Sequence, residues 1–242
     1  NTEKNLANAR ELFESYLNSV FSQRGEDWVE KPLANYFGTV STGPFGSLLH
    51  KSDYVSHGVP LVNPINIVGE QISPDERKMI GDDTKGKLLT YILKENDIVI
   101  ARRGEIGRCA VVTQRQHGWV CGTGCFFIRP TKEANPHFLA HLLRSAAYRV
   151  ELERRASGAT MLNLSNKTLS NLEIAMPCLE EQDRILEQLS ELKAQCEHVQ
   201  AIYQQKLTAL AELKQSLLQK AFSGELTADP ADAMATVEAA SA

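Results

Sequence analysis

Apolar residues recur every three or four positions at both ends of the chain. Near the start, this spacing predicts an amphipathic helix over residues 2–23. Near the end, the same spacing continues without an internal proline or glycine and predicts one helix over residues 180–222. A helix of that length is a rod of about 65 Å. Its apolar stripe needs a partner, which is either the first helix or a second chain.

The middle of the chain has a different pattern, in which short β-rich runs alternate with turns of glycine, proline and asparagine. One longer periodic stretch predicts a helix over residues 136–157, with Pro136 in its first turn. Because the regular strand–helix alternation of a doubly wound sheet is missing, we predict an α+β fold with one globular domain of mixed β-strands and helices. The clearest predicted strands are 97–101, 109–113 and 125–128.

These patterns divide the chain into four parts. We predict an N-terminal helix (1–25), a globular domain (26–178), a long C-terminal helix (179–226) and a tail (227–242). The tail is rich in alanine, aspartate and serine, and we expect it to be disordered.

The two ends of the chain also repeat each other. Six residues near the start recur 201 positions later, all at helical spacing. The repeat predicts the end of one unit followed by a complete second unit, each unit being a globular domain and a long helix. The matched pairs are Glu11 and Glu212, Leu12 and Leu213, Ser15 and Ser216, Leu17 and Leu218, Phe21 and Phe222, and Ser22 and Ser223.

The net charge of −4 conceals a division along the chain. Residues 31–178 carry a net +5, whereas the flanks 1–30 and 179–242 carry −3 and −6. A basic domain between acidic helices favours a nucleic-acid partner. The five cysteines are not spaced like a disulfide framework, which fits a reducing cytoplasm. Since the chain starts at Asn1 rather than Met, we expect a cut inside a longer parent chain or by processing.

The sequence offers little support for catalysis. The run from Asn63 to Asn66 lacks the second proline and the aromatic residue of an amino-methyltransferase loop. Cys121 and Cys125, with His117 nearby, could ligate zinc, but no second ligand pair follows at a suitable spacing. Buried thiols are the better interpretation. We predict no catalytic residue and no metal site.

Three segments are better suited to binding DNA. One is a loop of three arginines and two glycines between predicted strands, which could reach phosphates or guanine; the alternative is a solvated hairpin tip. The second is a loop of small residues around Phe45, followed by a lysine, where Phe45 could instead fill the core. The third is an amide- and hydroxyl-rich stretch in which Asn163 could read adenine, or which is an ordinary connecting loop. The predicted DNA-binding residues are Arg102, Arg103, Arg108, Lys51, Asn163, Lys167, Thr42 and Ser47.

Several stretches of the chain resemble the specificity subunits of type I restriction-modification systems, in the C-terminal half with its single target recognition domain. The most specific are the motif Glu-Gln-x-Arg-Ile and the ending Ala-Phe-Ser-Gly-Glu-Leu. The segments that carry the resemblance are 43–47, 51–54, 58–62, 97–107, 174–177, 181–185 and 213–226.

The resemblance implies a non-catalytic subunit. Such subunits hold two target recognition domains, each followed by a long helix, and the two helices pair as an antiparallel coiled coil that sets the spacing. Each domain reads one half of a bipartite DNA target. The implied partners are double-stranded DNA, DNA methyltransferase subunits and a restriction (motor) subunit. No cofactor is expected in this chain, because S-adenosylmethionine would bind the methyltransferase partner.

Only one recognition domain is present, which leaves two interpretations. The chain is either an excised half that pairs with the other half of the subunit, or a natural half-subunit that dimerises with itself. Two other classes of function remain open. The chain could be an interaction module or decoy that binds methyltransferase subunits without reading DNA. It could also be a metal-dependent nuclease or methyltransferase, which the missing motifs argue against.

Overall fold

The computed structural model describes residues 2–45, 48–158 and 162–223. Within them the helices are α1 (Thr2–Ser22), α2 (Leu33–Tyr36), α3 (Asp82–Lys87), α4 (Pro136–Arg144), α5 (Ala146–Arg155), α6 (Asn166–Ser170) and α7 (Leu179–Ser223). The strands are β1 (Val29–Pro32), β2 (Phe37–Thr42), β3 (Tyr54–Val55), β4 (Val59–Val62), β5 (Ile67–Val68), β6 (Gln71–Ile72), β7 (Met79–Ile80), β8 (Ile98–Ala101), β9 (Cys109–Val111), β10 (Val120–Cys121), β11 (Cys125–Pro130) and β12 (Glu173–Met176). None of these helices is long and apolar enough to cross a membrane. The predicted tail, 227–242, lies outside the described residues.

Two four-stranded sheets build the domain between α1 and α7, which we call the central domain. One sheet is antiparallel, in the order β2-β11-β8-β9, and the other has the order β10-β4-β7-β3 with β10 and β4 parallel. Apolar side chains from both sheets meet in one core cluster, to which Val62, Val99 and Phe127 belong. On β9, the thiol of Cys109 donates to the carbonyl of Ala140 in α4 (3.5 Å), which ties this helix to the sheet. The mixed architecture confirms the predicted α+β fold.

The single helix predicted over residues 136–157 is wrong, because two helices, α4 and α5, cover this stretch. The chain leaves helical geometry at Ser145, with φ −59° and ψ 151°. The Ser145 hydroxyl donates to the Leu142 carbonyl at 2.7 Å, so the serine satisfies a carbonyl at the end of α4. The apolar periodicity continues across this break and gives no sign of it.

Two compact units divide the chain, with boundaries inside α1 and α7; the domain boundaries expected at 25/26 and 178/179 stay predictions. Residues 15–190 form one unit, and the described parts of 1–14 and 191–242 form the other. In the second unit, Asn5 Nδ2 donates to the Tyr203 hydroxyl at 3.1 Å. In the first, Glu181 and, to a smaller extent, Tyr16 raise the pKa of Arg184.

The two copies of the terminal repeat have different surroundings. Leu17 and Phe21 of the first copy are 4% and 1% exposed, and the Phe21 ring packs edge-on against Phe138 at 5.4 Å. Their counterparts Leu218 and Phe222 are 48% and 88% exposed. Because α1 is less than half as long as α7, the last turns of α7 present an apolar stripe that no described residue covers.

Candidate nucleic-acid interface

The loop between β8 and β9 carries the three predicted arginines, which differ in their surroundings. Gly104 and Gly107 adopt φ +73° and +84°, a left-handed conformation that favours glycine and explains both glycines of the loop. The Arg103 side chain is exposed, and no hydrogen bond or ion pair joins it to any described residue. It is therefore free to meet a ligand.

Arg102 lies inside the protein, not on the surface where a DNA contact is predicted. It is only 7% exposed, and its guanidinium stands between the rings of Phe45 and Phe126, 4.9 and 5.3 Å from their centroids. Nε donates to Asn163 Oδ1 at 3.1 Å, whereas Nη1 is buried without an acceptor among the described residues. Burial first, and the charge of Arg103 second, lower the pKa of Arg102. The two rings compensate part of the cost of burying this cation.

Arg108 has a third role, which is to hold a neighbouring loop. Its Nη1 donates to the carbonyls of Pro64 (3.3 Å) and Ile67 (3.4 Å), and its Nη2 forms an ion pair with Glu105. Its side chain remains 33% exposed. These contacts connect the arginine loop with the turn that precedes β5.

The structure brings the third predicted segment against the first. Ser157 and Asn163 exchange two backbone hydrogen bonds, of 3.1 and 2.9 Å, and Leu164 N donates to the carbonyl of Arg102 at 2.9 Å. Three residues further on, Lys167 is exposed in the first turn of α6. The arginine loop and residues 162–167 therefore form one surface, which we call the loop surface: Arg103, Asn163 and Lys167 are accessible on it, and Arg102 lies beneath it.

The predicted segment around Phe45 reaches the loop surface in part. Thr42 is half-buried at the end of β2 opposite Phe126, and a side chain on Gly43 would collide with the carbonyl of Gly122. Phe45 lies over Arg102, so its ring does not simply fill the core and is not without contacts. Lys51 is exposed in a 3-10 turn (Lys51–Asp53), and none of its described contacts joins it to the arginine loop. Ser47 lies outside the described residues.

The candidate catalytic loop at 63–66 and the candidate zinc ligands Cys121 and Cys125 both have structural roles. Asn66 accepts from Asn63 N at 2.8 Å and donates to Ser73 O at 2.9 Å, which makes 63–66 a capped turn. Cys121 and Cys125 are buried, and burial raises the pKa of both thiols. Within the described ranges, no group of three or more histidine, cysteine, aspartate or glutamate side chains could hold a metal ion.

Comparison with known proteins decides the family. A family model described as the type I restriction modification DNA specificity domain matches residues 55–207. This chain belongs to that family. The EcoBI specificity subunit of a type I restriction enzyme from Escherichia coli is 26% identical over 203 residues, which are 84% of this chain and 43% of that protein.

Solved structures of this class share the fold of this specificity-domain chain. One, described as the structural basis of complex assembly and conformational transition of the type I R-M system, matches with a TM-score of 0.72 and 21% identity, over 91% of this chain and 53% of that chain. The HsdS subunit from Thermoanaerobacter tengcongensis matches with a TM-score of 0.62 and 19% identity, over 90% of this chain and 53% of that chain. The chain thus spans about half the length of these relatives.

The family confirms the resemblance to type I specificity subunits. The names of the family and its relatives describe specificity and not catalysis, which agrees with the prediction that this chain is not itself an enzyme. The individual DNA-binding residues stay predictions.

Proposed function

We propose that this chain reads one half of a bipartite duplex DNA target for a type I restriction-modification complex in the cytoplasm. The observation that carries the proposal is the loop surface, where the arginine loop and the segment around Asn163, which are far apart in sequence, are joined by backbone and side-chain hydrogen bonds. A surface that presents exposed cations beside an amide can combine phosphate contacts with base contacts. The net +5 of residues 31–178 supports the same partner.

In this proposal, the predicted residues on the loop surface and elsewhere in the central domain have different roles in recognition. Arg103 is the exposed arginine that can approach a base edge or a phosphate, and Lys167 and Lys51 are exposed lysines suited to phosphates. Arg102 and Arg108 hold the surrounding loops in place by the contacts described above. Thr42 supports the end of β2 beside them.

The long helices serve the protein partners in this proposal. The apolar stripe at the end of α7 is a contact surface for subunits of the complex, namely methyltransferase subunits that bind S-adenosylmethionine and a restriction subunit. The same stripe repeats the residues that α1 packs against its own central domain, which favours a second recognition domain as a neighbour. That domain is supplied by a second copy of this chain or by the other half of the subunit.

The test uses the chain assembled with its methyltransferase subunit. Sequencing of methylated genomic DNA identifies the half-site, and affinity is then measured on duplexes carrying it. We expect Arg103→Ala to weaken binding by about 1–3 kcal/mol if Arg103 reads a base, and Lys167→Ala to lower the salt dependence by about one phosphate contact. The matched control is Arg115→Ala, an equal charge change beyond the far end of β9.

The competing interpretation is an interaction module that binds methyltransferase subunits without reading DNA. If the complex assembles and Arg103→Ala, Lys167→Ala and Arg115→Ala all leave DNA binding and the methylated motif unchanged, DNA reading by this surface is refuted. The interaction module would then be the better description.

A further inference from the structure

The two ends of the Asn163 side-chain amide have different surroundings. Oδ1 accepts the hydrogen bond from Arg102 Nε at 3.1 Å, and Nδ2 has no acceptor among the described residues. Because Nε–H can only donate, the oxygen and not the nitrogen must face Arg102. Since Arg102 is 7% exposed, Oδ1 is directed inward, and the NH2 group occupies the other end of a half-exposed side chain.

Several contacts hold this amide in position. The backbone of Asn163 is hydrogen-bonded in both directions to Ser157, and the next residue donates to the Arg102 carbonyl. The Arg102 guanidinium is itself held between two aromatic rings. The cation also polarises the amide it contacts, which makes the NH2 group a stronger donor.

This orientation limits which base Asn163 can read. Asparagine recognises adenine through two bonds, in which its oxygen accepts from N6 and its nitrogen donates to N7. Because Oδ1 points inward to the buried Arg102, it is turned away from a base that approaches from the surface, so the bidentate reading of adenine is lost and a single donor remains. The major-groove atom that accepts such a donor on both purines is N7.

We propose that Asn163 is a donor-only reader of a purine N7 and that Arg102 is its positioning residue. The inference rests on the proposed function, because it assumes that the loop surface meets the major groove. It replaces the expectation that Asn163 selects adenine. It also gives the buried Arg102 a role that does not require its guanidinium to reach DNA.

The decisive variant is Asn163→Asp. It has nearly the same shape and keeps an oxygen for Arg102 Nε, but it places a second oxygen where the NH2 group stood. Folding is therefore retained, and the outward donor is removed. Arg102→Met tests the positioning role, because it fills the space between the rings and frees the amide to rotate. Asn163→Ala serves as a second donor-free variant if Asn163→Asp does not fold.

The measurement is the affinity of the chain–methyltransferase complex for its half-site, with each purine replaced in turn by its 7-deaza analogue. We expect one position at which the analogue weakens wild-type binding about fivefold, as for the loss of one hydrogen bond. At that position Asn163→Asp should show no penalty, and Arg102→Met a reduced one. For each protein, the ratio of its affinities for the natural and the 7-deaza duplex cancels the general effect of the added negative charge. A variant whose loss of binding is merely structural would keep the wild-type ratio.

Two results would overturn the proposal. If the 7-deaza penalties are equal in the wild type and Asn163→Asp at every purine, Asn163 does not donate to N7, although the chain still reads DNA. If the wild-type complex shows no preference among duplex sequences, the proposed function fails and this inference fails with it.

Discussion

Gln182 is fully buried near the beginning of α7, and all three of its side-chain hydrogen bonds hold backbone groups of the central domain. Oε1 accepts from Asn135 N at 2.8 Å, and Nε2 donates to the carbonyls of Pro177 (2.9 Å) and Glu133 (3.3 Å). The perturbation we consider is Gln182→Met, which keeps the length of the side chain and removes every hydrogen bond.

The expected loss of folding free energy follows from what happens to the three backbone groups that lose their hydrogen bonds to Gln182. A typical hydrogen bond contributes about 1 kcal/mol net, so three bonds amount to about 3 kcal/mol. Asn135 and Glu133 lie at positions that water can reach, whereas Pro177 is buried and its carbonyl stays unsatisfied. For a unit of this size, about 3 kcal/mol corresponds to a fall in Tm of roughly 6–12 °C.

The assay is thermal and urea unfolding followed by circular dichroism. Gln188→Met is the matched control, because it makes the same substitution six residues later on the same helix, at an exposed position. We expect the control to change the free energy of unfolding by less than about 0.5 kcal/mol. If Gln182→Met destabilises no more than Gln188→Met, the hydrogen bonds of Gln182 do not hold α7 to the central domain and the reasoning fails.

Two further predictions concern ionisable groups. Arg154, and then Arg155, lower the pKa of Glu151 to about 2, so the stability that this carboxylate contributes is present above its ordinary pKa of 4.5 and is lost as the pH falls towards 2. Carboxyl NMR titration should show this low midpoint and its rise in Arg154→Ala; a wild-type midpoint near 4.5 would contradict it. Burial raises the pKa of Cys109 to about 11 and holds that of Cys121 well above its ordinary value, so iodoacetamide at pH 8 should modify the exposed Cys178 and spare both until the protein unfolds. Mass spectrometry checks this, and labelling of Cys121 in the folded protein would count against it.

The periodic parts of the chain were predictable, because their pattern extends over many residues. The helix predicted over 180–222 is α7, and the strands predicted around the arginine loop are β8, β9 and β11, each shifted by a residue or two at an end. The break at Ser145 was not predictable from periodicity. It depends on one hydroxyl that bonds a carbonyl three residues earlier, and many serines inside helices do the same without ending them.

The site was predictable in its residue types but not in its geometry. Arg102 and Asn163 are 61 positions apart, and no local pattern indicates that their side chains meet. The inward direction of Arg102 could not be predicted from the sequence for a different reason. All four residues of β8 are buried, so the alternation of faces along this strand does not separate an inner from an outer side. The stack with Phe45 and Phe126 was missed for the same reason.

The two ends of the central domain lie next to each other in space. Its first strand, β1, pairs antiparallel with its last, β12, so that Val29 lies opposite Met176. A segment whose two ends are neighbours can be exchanged for another of different length and sequence, because the chain before it and the chain after it are left with the same short gap to join. Under the proposed function, recombination at these two points would replace the DNA-reading domain in a single step and leave α1 and α7 unaltered.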